Sequence, residues 1–339
     1  MKRWFALLLA VGAVAAVVTT AAMAGQRKHA ITGSVTIVQA GGADFGSEDV
    51  HEFAILMAKH GIKVNYSYIG DASSAERALI SGQADLLINA PSDEILAVTN
   101  GGAAIHMIGA NNDASDYILL GLPGKPVGNL NGATLGIETP GSAGEVAALV
   151  ALTKKKVDTS QIHPVTIGNS GARTTAILNG RIDLAPVHYG SALTALATGK
   201  VIETLDIGGT IGPGYIQSSL WANDSFLKNK ALAQEAVNDF ILSQRWANAN
   251  KYEYVQLAQK DDATNGLSSD QMLKVWDYYR TGHYFGVNGG ICQKYINLTL
   301  SLGKQSNSIP SNAPASSKWV DPSFVNTFLK KHHQKAGTC

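Results

Sequence analysis

Along this chain, short apolar runs alternate with stretches whose apolar positions recur every three or four residues. The first kind of run predicts strands and the second predicts amphipathic helices. Residues 34–39 (S-V-T-I-V-Q) read as a strand that stops at Gly41-Gly42. Residues 49–60 read as a helix with Val50, Phe53, Ile55, Leu56 and Met57 as its apolar contacts. Alternation over 62–69 predicts the next strand. A helix over 73–81 closes at Gly82, which supplies a left-handed cap. A strand over 85–89 runs into Pro91-Ser92, from which another helix starts at Asp93. Strands over 105–110 and 117–122 follow. The rhythm then repeats: strand 134–137, helix 143–152, strand 163–167, helix 172–178, strand 182–187, helix 191–197. Residues 208–214 are glycine-rich and read as a loop, and 215–221 as a returning strand. Helices are expected over 232–250, 252–259, 270–280 and 322–331, with a Ser/Asn/Pro-rich surface linker over 304–318. Strand–helix alternation of this kind implies largely parallel sheets covered on both faces.

One stretch repeats itself. Residues 78–86 read A-L-I-S-G-Q-A-D-L, and residues 176–184 read A-I-L-N-G-R-I-D-L. In each, a helix ends at a glycine and an aspartate opens a strand. Gly82 and Gly180 supply the positive φ of the helix exit. Asp85 and Asp183 are expected at the strand mouths, bonded to backbone N–H groups. The echo predicts two α/β lobes built alike. Pro123-Gly124-Lys125-Pro126 breaks the pattern between them. The chain then divides into 1–24, a first lobe over 25–122, and a second lobe over 123–214. A return to the first lobe with a helical region covers 215–303, and a linker with a closing helix covers 304–339.

The stretch 133–152 joins a strand, a Pro140-Gly141 turn and a helix start. Ser142 stands at the N-cap, with Glu145 three residues on, a capping-box spacing. The first N–H groups of such a helix lack partners and sit at the positive end of its dipole, so they can hold a small ligand group.

The N-terminus changes the setting. Lys2-Arg3, an apolar run over 4–18 and Ala22-Met23-Ala24 together form a secretory signal peptide, cleaved after Ala24. The expected location is the periplasm. Removing Lys2 and Arg3 takes the formal net charge from +1 to about −1, which argues against nucleic acid. The two cysteines, Cys292 and Cys339, fit an exported chain with one disulfide. No cysteine or histidine cluster has metal-ligand spacing, so no metal and no cofactor are expected.

Four segments, in order, carry a family resemblance: E-R-A-L-I-S-G-Q-A-D-L-L-I-N-A-P (76–91), T-N-G-G-A-A-I-H-M-I-G-A (99–110), L-N-G-A-T-L-G-I-E-T-P-G-S (130–142) and T-A-I-L-N-G-R-I-D-L-A-P (175–186). The chain resembles the substrate-binding proteins of ABC importers, in the branch for nitrate, sulfonates, taurine and thiamine-pyrimidine precursors. The resemblance covers 34 to about 259. It implies a two-lobed periplasmic-binding-protein fold of type II, each lobe a mostly parallel sheet flanked by helices. It implies a monomer that captures a small solute in the inter-lobe cleft and reaches the membrane only through an ABC permease. A TRAP-type importer or a sensor is the alternative.

In such sheets the ligand lies beyond the carboxyl ends of the strands. The loops there name Asp44, Phe45, Asn89, Ser92, Ser142, Ala143, Asn169, His188 and Tyr189 as candidate ligand-binding residues. Ser142 and Ala143 are expected to offer backbone N–H groups, and Phe45 and Tyr189 to wall the ligand. Asp44, Asp71, Asp93 and Glu138 stand in these loops without a lysine or arginine, and Arg173 is the nearest cation. That balance points to a neutral, zwitterionic or heteroaromatic solute with a hydrogen-bonding or amine group, ahead of a small anion. Catalysis is not expected. Ser142 lies in G-S-A-G rather than a nucleophile elbow. The cysteine-rich run of the pyrimidine-synthesising relatives has no counterpart.

Overall fold

The first strand, β1 (Ser34–Ala40), is the centre of a parallel trio, paired with residues 63–69 on one side and 86–88 on the other. The computed structural model describes residues 33–42 and 45–339. The signal peptide expected at 1–24, and Asp44, lie outside the described residues. After β1 come α1 (Glu48–Lys59), β2 (Lys63–Ile69), α2 (Ala72–Ile80), β3 (Leu86–Asn89), α3 (Pro91–Gly101) and β4 (Ile105–Asn112). The chain then crosses into β5 (Tyr117–Gly121), β6 (Thr134–Ile137), α4 (Ala143–Lys154), β7 (His163–Thr166) and α5 (Ser170–Leu178). The second lobe ends with β8 (Leu184–His188), α6 (Tyr189–Leu196), β9 (Ile202–Asp206) and α7 (Ile207–Ile211). The return strand is β10 (Ser218–Asn223). Behind it follow α8 (Asp224–Leu227), α9 (Lys230–Ala249), α10 (Lys251–Lys260), α11 (Ser269–Thr281), α12 (Gln293–Gln305) and α13 (Ser323–Lys331).

Among the described residues the strands form two five-stranded sheets, ordered β2-β1-β3-β10-β4 and β7-β6-β8-β5-β9. Each sheet is mixed: β10 and β5 run antiparallel to both of their neighbours. The expected boundary at 122/123 lies too late. Strand β5 pairs with β8 and β9, so the first crossing is the polar hexad N-N-D-A-S-D at 111–116. A five-residue apolar strand buried on both faces reads the same in either lobe, and only its partners assign it.

The two aspartates of the repeat do the same job. Thr36 N donates to Asp85 Oδ2 at 2.8 Å, and Thr134 N donates to Asp183 Oδ2 at 2.8 Å. Each ties the mouth of the third strand of its lobe's parallel trio to the first. Gly82 and Gly180 take φ of 78° and 67° at the helix exits.

Lobe 1 has the larger core. Helix α9 packs on α1 and β4, and the C-terminal segment seals the same side, where Trp221 stacks on Trp319 with ring centroids 5.9 Å apart. Cys292 and Cys339 form a disulfide that holds this segment to the start of α12. Two expectations differ from the structure. Residues 207–211 form α7 rather than loop, with Asp206 capping through Gly209 N. Helix α12 and strand β9 are not among the expected elements, although α12 buries Ile296, Thr299, Leu302 and Gly303 on one face at helical spacing. Among the described residues no helix is long and apolar enough to cross a membrane.

Candidate functional site

The carboxyl ends of both parallel trios open on one cavity of about 130 Å³ between the lobes. Lobe 1 supplies Gln39 and Gly41 at the end of β1, and Asn89 with Asp93 beyond β3. The crossing segments supply Asn111, Asn112, Asp116, Gln217 and Ser218. Lobe 2 supplies Glu138, Ser142, Ala143, Asn169, Arg173 and His188, and the helical region adds Tyr279 and Tyr284.

Asp116 organises the centre. It is 1% exposed and accepts from His188 Nδ1 at 3.0 Å, Gln217 Nε2 at 2.7 Å and Tyr279 Oη at 3.2 Å. Burial works to raise its carboxyl, but the facing His188 and these hydrogen bonds outweigh it and hold it below the usual range. An ionised Asp116 assigns the proton on His188 to Nδ1. Tyr117 stacks on the imidazole at 4.5 Å and fixes its plane. One residue on the crossing therefore grips lobe 2, the return segment and α11 together.

The Ser142 turn is built differently from a capping box. Ser142 is the N-cap of α4, but its side chain makes no cap bond. Glu145 reaches back instead and accepts from Gly141 N at 2.6 Å. Ser142 N donates to Thr139 O at 3.0 Å, so this N–H is not offered to a ligand, contrary to expectation. The Ser142 hydroxyl is left buried without a partner at the cavity wall, and so are Asn111 Oδ1 and Asn112 Nδ2. Buried polar atoms are almost always bonded, so such a cluster marks a place where something else completes them.

Charge in the cavity is uneven. Arg173 is 2% exposed and donates from Nε to Pro186 O at 2.9 Å and from Nη1 to Gly168 O at 2.6 Å. Its Nη1 stands 3.8 Å from Glu138. The sequence placed this cation outside the loops; the structure turns it into the wall, because α5 presents this position to the end of β8. Asp93 on the lobe 1 side is pushed up to about 7, first by burial and then by Glu76 and Glu138.

The expected ligand-binding residues separate into three groups. Phe45, Asn89, Ser142, Ala143, Asn169 and His188 line the cavity together. Within that group Phe45 is a wedge more than a wall, with its ring packed edge-on against Tyr254 at 5.6 Å. Asn89 spends its Nδ2 on Glu94 and Asn169 its Oδ1 on the first turn of α5. Ser92 and Tyr189 are not in the lining. Ser92 Oγ donates across the lobes to Gly141 O at 3.3 Å. Tyr189 stacks face to face on Tyr278 at 4.0 Å, because α11 packs against α6 there. Asp44 lies outside the described residues. Asn111, Asn112, Asp116, Gln217, Tyr279 and Tyr284 were not foreseen. The signal that could have found the first three is the polar hexad between two apolar strands.

Two lobes of the same strand order around a polar cavity define the two-lobed binding-protein fold. The structure is similar to the ligand-binding component of an ABC-type import system from Staphylococcus aureus with zinc bound. That match has a TM-score of 0.71 at 17% identity, over 86% of this chain and 98% of the other. It is similar to the periplasmic nitrate-binding protein NrtA from Synechocystis PCC 6803, with a TM-score of 0.71 at 10% identity over 88% of each chain. It is also similar to the desulfurization enzyme DSZB, with a TM-score of 0.60 at 14% identity over 88% of this chain and 99% of the other. At such identities the likeness is one of fold. No sequence among the curated proteins matches this chain. Residues 57–250 match the NMT1/THI5 like family, more than half of the 339 residues, and the chain belongs to that family.

Proposed function

We propose that this protein captures a small organic solute between its two lobes outside the cytoplasm and delivers it to an ABC permease. The observation that carries the reading is the cavity itself. Both lobes and the crossing contribute to it, and Ser142 Oγ, Asn111 Oδ1 and Asn112 Nδ2 lie at its wall without partners. A solute that bonds all three touches both lobes and so favours the closed state. Binding rather than catalysis is favoured because the buried Ser142 hydroxyl has no hydrogen-bond partner and so no base beside it.

The solute is neutral, zwitterionic or heteroaromatic and brings an amine or another hydrogen-bond donor. Asp93, Asp116 and Glu138 line the cavity; Asp116 faces His188 and Glu138 faces Arg173, which leaves Asp93, pushed up to about 7 by burial, as a carboxyl that can take an amine or share a proton with the solute. A nitrate-sized anion would meet these carboxylates with one guanidinium already bonded to two carbonyls. Mass spectrometry of ligand released from natively purified protein is the direct test. Calorimetry against nitrate, alkanesulfonates, taurine, pyrimidines and aromatic acids completes it. Tight binding of nitrate or a plain alkanesulfonate, with amines and pyrimidines silent, would overturn the solute class. Small-angle scattering should show compaction with the bound solute, and an unchanged radius at saturation would overturn closure. N-terminal sequencing of the exported protein should begin at Gly25.

A further inference from the structure

Outside the cleft, His60, Glu235 and Asp239 meet on lobe 1. Among the described residues they are the one group of His, Cys, Asp or Glu side chains spaced to share a metal ion. Glu235 and Asp239 lie one turn apart on α9 and face the same way. His60 caps the C-terminal end of α1, which packs on α9. His60 Nδ1 stands 2.9 Å from Asp239 Oδ2 and 3.4 Å from Glu235 Oε1. The three donor atoms lie within 4.8 Å of one another. Ligands at about 2.0–2.2 Å from a tetrahedral zinc stand roughly 3.3–3.6 Å apart, so the group needs only small shifts to close on one ion.

We propose that His60, Glu235 and Asp239 bind a zinc ion, with water in the fourth position. Asp239 points to a ligand independently of the spacing. It is fully buried, and while Oδ2 bonds His60, Oδ1 has no partner. The hydrogen bond to His60 alone leaves that oxygen desolvated and uncompensated; an ion held at Oδ2 neutralises the buried carboxylate and offsets that cost. Asn238 Nδ2 donates to Glu235 Oε2 at 3.1 Å and sets the orientation of the second carboxylate, as outer partners of metal ligands do. The ion sits at the C-terminal end of α1, the negative end of its dipole. Side-chain exposures of 44% for His60 and 25% for Glu235 leave it a path to solvent. One imidazole with two carboxylates suits zinc better than calcium, which takes six or more oxygens. The bound ion staples α1 to α9, in the lobe that also holds the disulfide.

The test uses the full mature chain, stripped with a chelator and dialysed, with zinc alone as the probe. Calorimetry should give one zinc ion per chain, and cobalt in its place should give the visible bands of a four-coordinate site. His60→Ala and Glu235→Gln should each weaken zinc by at least about tenfold. Asp239→Asn could fail to fold, so the two more accessible positions carry the test, with circular dichroism confirming their fold. Zinc held by the His332-His333 pair is the competing source. A His332→Ala, His333→Ala variant should keep the ion. Loss of zinc in that variant, unchanged affinity in Glu235→Gln, or no zinc bound by the wild type would each overturn the site.

Discussion

The two lobes share a frame and differ in what they hang on it. Both order their strands alike, and both lock the third strand to the first through an aspartate and a threonine N–H. Lobe 1 presents amides and Asp93 to the cavity, whereas lobe 2 presents Arg173, His188 and Glu138. Lobe 1 also receives α9, α13 and the C-terminal segment, with Trp319 and the disulfide, while α11 and α12 reach across to α6 and α4 of lobe 2. Lobe 2 has its core split into two smaller clusters on either face of its sheet. Repetition therefore governs the backbone, and the chemistry lies in the loops, which are free to diverge because the sheet does not depend on them.

The largest effect expected from breaking this contrast is at Trp221. Trp221→Ala should cost about 3–5 kcal/mol in urea unfolding, since the ring is fully buried against Trp319. A loss below about 1 kcal/mol would mean that the C-terminal segment is not part of the lobe 1 core. Replacing Cys292 and Cys339 by serine should cost about 2–4 kcal/mol on the chain-entropy account. The ligand affinity should be unchanged, and a loss of affinity would tie the segment to the cleft. Asp85→Asn and Asp183→Asn should each cost about 1.5–3 kcal/mol, the worth of a hydrogen bond to a charged group. The absence of a measurable cost at either position would break the equivalence of the lobes. The Asp183 carboxyl is held below its ordinary value, first by the Thr134 backbone N–H. Its contribution is complete above the unfolded pKa and is lost as pH falls through the lower folded one. The difference between wild type and Asp183→Asn should therefore shrink below about pH 4. The smallest effect is at Ser142. N-cap serines usually cost about 1 kcal/mol when cut to alanine, but this hydroxyl makes no cap bond. Ser142→Ala should leave stability within about 0.5 kcal/mol and weaken solute retention, whereas Ser268→Ala in the capping box of α11 should show the full cost.

The sequence made the frame legible because strands and helices alternate with clear periods, and because the Gly-x-x-Asp-Leu repeat fixes both third strands. Strand-end loops follow from that frame, so Asn89, Ser142, Ala143, Asn169 and His188 fall where the cavity lies. What stayed hidden depends on partners far along the chain. Asp116 acquires its place from Gln217 and Tyr279, each more than a hundred residues away. Tyr189 carries the local signature of a strand-end aromatic, but Tyr278 claims its face. Ser142 has the spacing of a capping box, yet Glu145 bonds one residue earlier and leaves the hydroxyl unused.

The position of β10 sets the order in which this molecule can be finished. It lies between β3 and β4, at the inside of the first sheet, although it follows β4 by more than a hundred residues. A chain emerging from its N-terminus has all of β5 to β9 in hand by residue 206, enough to pair the whole second sheet. The first sheet must wait with an open seam through its middle until residue 223 arrives, and its outer seal waits for Trp319 and Cys339. The lobe that begins first is thus the one completed last, and its apolar strands stay exposed for the longest part of synthesis.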